Sequence, residues 1–446
     1  MRSYFLFIIL LVSTTVGFSQ EKTYSFTLEQ AIAFALENNY SAINADRDII
    51  DAQKQKWEVI ASGLPQLSGA VNYQNQLKLP VSLIPAGNFG GEPGEFLEVV
   101  FGVPQTLTAT ATLRQKLFDG TYIVGVQATK SFLSYSANNK EKTKLDVRKA
   151  VTEAYGNVLL ARESVAISEK NKDNLEKNLF ETTKIYENGL GDEESVEQLQ
   201  ITLANVENQL RNAIRLEEIT LQMLNLMMGI DIDAPTQLEE QLDDLTRQQI
   251  DLAIVNDPFN IENNVDYKLA INLNEQRFYE WKQAKSRALP SLDAFINYGS
   301  SAFGERSGFL DSDQRWFDFS TFGVDLSIPI FSSGLRSAGT ARAKIALEKA
   351  KTQLEEAEAQ IRLQVERAKS DYTLAIEQYD TSKENLALAE RIEQKNQIKY
   401  SEGVATSFEL RQAQTQLYDA QQEYLQSMVD VINKKTELET VMNNNP

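Results

Sequence analysis

Four stretches of the chain alternate in polarity with period two. After Pro65, Leu67, Gly69, Val71 and Tyr73 share one face, while Gln66, Ser68, Asn72 and Gln74 share the other. Leu107, Ala109, Ala111 and Leu113 alternate with Thr106, Thr108, Thr110 and Thr112. After Pro290, Leu292, Ala294, Ile296 and Tyr298 alternate with Ser291, Asp293 and Asn297; Phe322, Val324, Leu326 and Ile328 alternate with Thr321, Gly323, Asp325 and Ser327. Successive side chains of a strand point to opposite faces, so each stretch predicts a half-apolar strand. The strands are expected at about 64–76, 101–117, 289–299 and 316–331.

Elsewhere the period is that of a helix. Val147, Val151, Ala154, Val158, Ala161 and Val165 step by three or four, as do Leu354, Ala357, Ile361, Val365, Ala368, Tyr372, Ile376 and Tyr379. No proline falls between Gln105 and Ala234 or between Ile330 and Asn445. Proline breaks helix interiors, so long helices fit these gaps. Each gap is interrupted once, by Asn188-Gly189-Leu190-Gly191 and by Glu402-Gly403. Two helical hairpins are therefore expected, over 121–229 and 335–443.

The two halves repeat each other. Leu64-Pro65-x-Leu67 returns as Leu289-Pro290-x-Leu292, and Leu117-Phe118-Asp119-Gly120 as Ile330-Phe331-Ser332-Ser333-Gly334. Val147-Arg148, Tyr186 and Gly189 return 214 residues later as Ile361-Arg362, Tyr400 and Gly403. The fold class is α+β: a duplicated unit of helix, two strands and a long helical hairpin. The first repeat is placed at 20–229 and the second at 261–446, with a polar, acidic linker at 230–260. Residues 76–100 and 300–315 are expected to be irregular tips between paired strands.

Composition narrows the chemistry. The chain has no Cys and no His, which removes disulfides, Cys/His zinc sites and every His-dependent catalytic pair. No catalytic, cofactor-binding or metal site is expected. A net charge of −19 makes nucleic acid a poor partner. Arg2, the apolar run Phe5–Val12 and the small residues Ser13–Ser19 form a secretory signal peptide over 1–19; the alternative is a buried or anchoring helix.

Four strands cannot close a barrel, and an open sheet in lipid leaves backbone groups unsatisfied at several kcal/mol each. If the strands cross a membrane, several chains must share one barrel, and three would supply twelve strands. At this point the chain resembles the TolC-type outer-membrane efflux proteins. Thr27-Leu28-Glu29-Gln30-Ala31-Ile32, with a capping box between Thr27 and Gln30, is similar to the family's opening helix. The Leu-Pro-x-Leu pairs are similar to its strand starts, Pro329-Ile330-Phe331-Ser332-Ser333-Gly334 to a strand-to-helix joint, and Tyr186-x-x-Gly189 and Tyr400-x-x-Gly403 to its hairpin tips. The resemblance implies a trimeric twelve-stranded transmembrane β-barrel, continued by a periplasmic α-helical coiled-coil barrel. The implied function is a passive outer-membrane exit duct of a tripartite efflux or type I secretion system, not an enzyme. Its partners would be two further copies, a periplasmic adaptor, an RND, ABC or cation-exporting inner-membrane pump, and outer-membrane lipid. The competing reading is a secreted or periplasmic coiled-coil scaffold without a pore.

Three groups of residues carry site expectations. Tyr186, Gly189 and Leu190 at the first tip, and Tyr400, Gly403 and Val404 at the second, are those the resemblance assigns to adaptor docking. Glu409 and Gln412 fall on the family's acidic-ring positions at the periplasmic entrance; Glu409 equally suits a helix-start carboxylate. Tyr73, Tyr298, Trp316, Phe317 and Phe319 are read as an aromatic girdle at the membrane interface, near strand ends.

Overall fold

The computed structural model describes residues 24–443, apart from Gly91, Pro93, Arg306 and Ser307. The signal-peptide expectation lies outside them. In chain order the elements are β1 (Tyr24–Phe26), α1 (Leu28–Asn38), α2 (Tyr40–Ala61), β2 (Gln66–Asn75), β3 (Val81–Pro85), β4 (Phe96–Val100), β5 (Gln105–Asp119), α3 (Gly120–Glu187) and α4 (Glu193–Met228). There follow β6 (Thr236–Leu238), α5 (Leu242–Gln249), α6 (Val265–Ser286), β7 (Ser291–Gly304), β8 (Trp316–Ser327), α7 (Leu335–Ser401) and α8 (Ser407–Met442). The chain divides into two compact units.

The first unit comprises residues up to Ile49, Ser136–Ala270 and Leu354 onward. Its core gathers α1, the middle of α3 and of α7, the C-terminal parts of α4 and α8, and the short elements of the linker. Val151, Tyr155, Val158, Leu224, Met228, Tyr372, Ile432 and Leu438 are fully buried there. Two buried tyrosines find partners for their hydroxyls, as burial demands: Tyr155 donates to Phe26 O at 3.1 Å and Tyr372 to Gln249 O at 2.7 Å. The linker expected at 230–260 carries structure of its own: β6 pairs in parallel with β1, and α5 packs on α8.

Duplication is visible at single bonds. The helices α2 and α6 are each 22 residues long, and α4 and α8 each 36. Asn39 caps α2 and donates its side-chain amide to Met227 O at the end of α4; Asn264 caps α6 and donates to Val441 O at the end of α8. The helices α4 and α8 end on the left-handed residues Gly229 (φ 77°) and Asn443 (φ 57°). A Cβ at Gly229 would stand 2.2 Å from Asn38 O, so only glycine fits there.

The second unit comprises Ile50–Tyr135 and Ile271–Gln353. It holds an antiparallel sheet in the order β2-β5-β7-β8. Register keeps the two kinds of face apart. Leu113, Ile296 and Phe322 form one row, and Thr112, Asn297 and Thr321 the next. Both faces of β2 are exposed, with Leu67 at 74% and Val71 at 71%. Among the described residues the outer edges of β2 and β8 have no partner strand. Residues 76–100, expected to be irregular, contain the hairpin β3–β4, in which Val81 pairs with Val100 and Ile84 with Leu97. Its apolar residues, Val81, Leu83, Ile84, Phe96, Leu97, Val99 and Val100, were hidden by the Gly and Pro of the turn between them.

Candidate functional site: hairpin tips and sheet faces

The two hairpin turns share one backbone device. Gly189 N donates to Tyr186 O and Leu190 N to Ile185 O; Gly403 N donates to Tyr400 O and Val404 N to Lys399 O. This pair of hydrogen bonds around a left-handed residue is a Schellman cap, and it explains why glycine follows the tyrosine by three. Gly189 and Gly403 have φ of 77° and 72°. The cap leaves one apolar side chain at each tip in solvent: Leu190 is 83% exposed and Val404 75%.

The tyrosines of the two motifs differ in use. Tyr400 shares its hydroxyl with Thr182 at 2.9 Å, tying α7 to α3, whereas Tyr186 stands 40% exposed. Further polar pairs bind the hairpins: Asn178 and Gln397 exchange reciprocal bonds of 3.2 and 2.7 Å, Asn171 donates to Gln421 at 2.9 Å, and Ser195 donates to Ser407 at 2.9 Å. Buried amides in a coiled-coil seam fix register at a cost in stability. Sequence patterns passed over these residues because the buried stripe of α3 turns polar there: Asn171, Asn178 and Thr182 share it with Leu175.

The second arms start differently. Asp192 caps α4 by accepting from Ser195 N at 2.7 Å. At α8, Thr406 and Glu409 form a capping box: Glu409 N donates to Thr406 Oγ1 at 3.3 Å, and Glu409 Oε2 accepts from Thr406 N at 2.8 Å and from Thr406 Oγ1 at 3.0 Å. The Thr406 backbone and hydroxyl bonds hold the Glu409 carboxyl below its usual range. Gln412 is exposed one turn on, on the same helix. Glu409 thus has a structural task besides any at an entrance, and its Oε1 stays free of hydrogen bonds among the described residues.

The expected aromatic girdle divides by parity. Tyr73 pairs with Leu107, Leu107 with Ala302, and Ala302 with Trp316, so Tyr73 and Trp316 lie in one row on the apolar face. Tyr298 is on the same face but mid-strand, opposite Ser320, because β7 runs on to Gly304. Phe317 and Phe319 project from the opposite, polar face; Phe317 packs on Phe303 with ring centroids 5.9 Å apart, and the Phe319 ring lies over Gly299. These two residues are not part of an apolar-face girdle, since one step along a strand reverses the face.

Residues 261–444 match the family described as outer membrane efflux protein. The chain is 23% identical over 336 residues to the alkaline protease secretion protein AprF of Pseudomonas aeruginosa, covering 73% of this chain and 67% of AprF. Its fold matches the CmeC outer membrane channel of Campylobacter jejuni at 17% identity and a TM-score of 0.71, over 93% of this chain and 85% of that one. It matches the outer membrane protein VceC of Vibrio cholerae at 16% identity and a TM-score of 0.70, over 93% of this chain and 95% of that one.

Proposed function

We propose, from the premise that the chain belongs to the TolC-type outer-membrane efflux protein family, that it is the outer-membrane exit duct of a tripartite efflux or type I secretion system. It is a passive channel and not an enzyme. The observation that carries this reading is the four-stranded sheet, with one apolar face, one polar face and, among the described residues, two unpartnered edges. In lipid those edges cost several kcal/mol per unsatisfied group until other strands cover them. Three copies would join edge to edge as twelve strands, with Thr112, Asn297 and Thr321 turned to a water-filled lumen and Phe322 turned to lipid. Among the described residues no helix is long and apolar enough to cross a membrane.

The remaining assignments follow on that basis. Residues 1–19 are removed on export, leaving repeats at 20–229 and 261–446 joined by 230–260. The exposed Leu190 and Val404 dock a periplasmic adaptor, which links the duct to an inner-membrane pump. Tyr186 belongs to the docking surface, while Tyr400, committed to Thr182, sets its geometry. Glu409 lines the periplasmic entrance, with Gln412 a turn beyond. The scaffold reading explains the hairpins but gives an alternating sheet no purpose.

Fractionation of cells producing the protein tests this reading. The duct is expected in the outer-membrane fraction, released by detergent and not by high salt or carbonate. Recovery in the soluble periplasm would overturn it.

A further inference from the structure

The ends of α6 and α7 that adjoin β7 and β8 are basic, in a chain of net charge −19. A groove of about 690 Å³ between α6 and α7 is lined by Arg277, Arg287, Arg336 and Arg342, with Glu280 its one acidic residue. Arg277 is paired with Glu280 at 2.7 Å, and Arg336 donates to Pro329 O at 2.7 Å. The guanidinium groups of Arg287 and Arg342 have no ion pair or hydrogen bond among the described residues, and both residues are exposed.

The duplication supplies a control. The helices α2 and α6 correspond residue for residue at an interval of 225, and the long helices at 214. Arg277, Arg287, Arg336 and Arg342 thereby fall on Ala52, Ser62, Tyr122 and Ala128 of the first repeat. Three of the four first-repeat residues are small and none is charged, so the fold of the unit does not require arginine there.

Chirality decides which way the groove faces. Gln76 N donates to Pro104 O, so the even residues of β2 turn their backbone groups toward β5. In an upward strand of L residues, a viewer facing a side chain finds that residue's N–H and C=O on the right. A viewer facing Asn72 and Gln74 therefore sees β5, β7 and β8 succeed one another to the right. The helices keep that order: Ser131 of α3 meets Asn272 O on the left of α6, and Thr340 of α7 meets Ala284 O on its right. On the near side of a rising right-handed helix, 100° steps run from left to right, and the residues between those two contacts are Glu280, Gln283 and Arg287. The arginine groove opens to the same side as the polar faces of the strands.

We propose that these arginines form a selectivity belt for anionic cargo, gripping solutes that carry several phosphate or carboxylate groups as they pass along the lumen. The proposal rests on the duct reading, which turns the polar faces to water and repeats the belt in every copy around the axis. Guanidinium is always charged, forks onto two oxygens at once and is the residue type that rings anion and phosphate pores.

The test is block of single channels in planar bilayers by inorganic tripolyphosphate added from the side of the strand tips. The unmodified protein is compared with the double variant Arg287→Ser, Arg342→Ala, which installs the first repeat's residues. Channels blocked by tripolyphosphate, with the blocking concentration raised at least about tenfold in the variant, are expected. Equal block in both proteins would overturn the belt and leave the duct intact. No conductance from the unmodified protein would overturn both. Loss of the oligomer in the variant would make the groove a contact between copies, and would overturn the belt as well.

Discussion

The carboxylate of Glu409 is held through one oxygen by Thr406, so removing the side chain and removing its charge are different experiments. Glu409→Ala deletes the carboxylate half of the capping box, keeps the bond from the backbone N–H of position 409 to Thr406 Oγ1, and should cost about 0.5–1 kcal/mol of helix stability at the start of α8. Glu409→Gln keeps a cap acceptor and removes only the charge. If Glu409 lines an entrance, the Gln variant should lose most of the block by divalent cations applied from the periplasmic side, and Gln412→Asp should strengthen it. Because the Thr406 bonds lower the Glu409 pKa, the carboxylate half of the capping box should persist below the usual carboxylate range and weaken as the pH falls through the lowered value. Bilayer recordings of Glu409→Gln with unaltered divalent block would leave Glu409 as a helix cap alone. Sequence offered both readings of this residue, since a capping box and an acidic ring ask for the same glutamate; the bonds to Thr406 came only with the structure.

At the scale of elements, the signals that were legible were periodic. Alternation marked the four strands of the main sheet, and the proline-free gaps marked four long helices whose turns fall at the two glycine motifs. What escaped was either short or defined by pairing. The three residues of β1 are too few to show a period, and their partner β6 lies 212 residues away in sequence. Phe317 and Phe319 were grouped with Trp316 by residue type, although their odd positions already set Phe317 and Phe319 on the face of Thr321 and Asp325. The polar ties between hairpins were equally invisible, because sequence does not say which amide meets which. Asn178, 5% exposed, bonds reciprocally with Gln397. Asn178→Ala should take from Gln397 both of its bonds to α3 and destabilise the hairpin pair by roughly 1–2 kcal/mol, while Asn178→Leu with Gln397→Leu should recover most of that loss. Thermal unfolding followed by the helical signal checks both; a single variant as stable as the parent would deny the pair any role in holding α3 against α7.

For the whole molecule, the sheet poses a problem that one chain does not solve. Among the described residues its two outer edges have no partner strand, and both faces of β2 are exposed although Leu67 and Val71 are apolar. A scaffold in water would bury that apolar face or lack it. A duct covers the edges with neighbouring copies and the apolar face with lipid. Sequence alone reached this point by counting strands against the number a barrel needs. The arginine groove came only with the structure, because Arg277 and Arg342 are 65 residues apart in the chain and meet through the pairing of α6 with α7. Twelve strands from identical four-stranded contributions require three copies, which makes copy number the direct test of closure. Mass measurement of the protein extracted in mild detergent, with bound detergent subtracted, should give three chains per particle; one or two chains per particle would contradict the shared barrel on which the account rests.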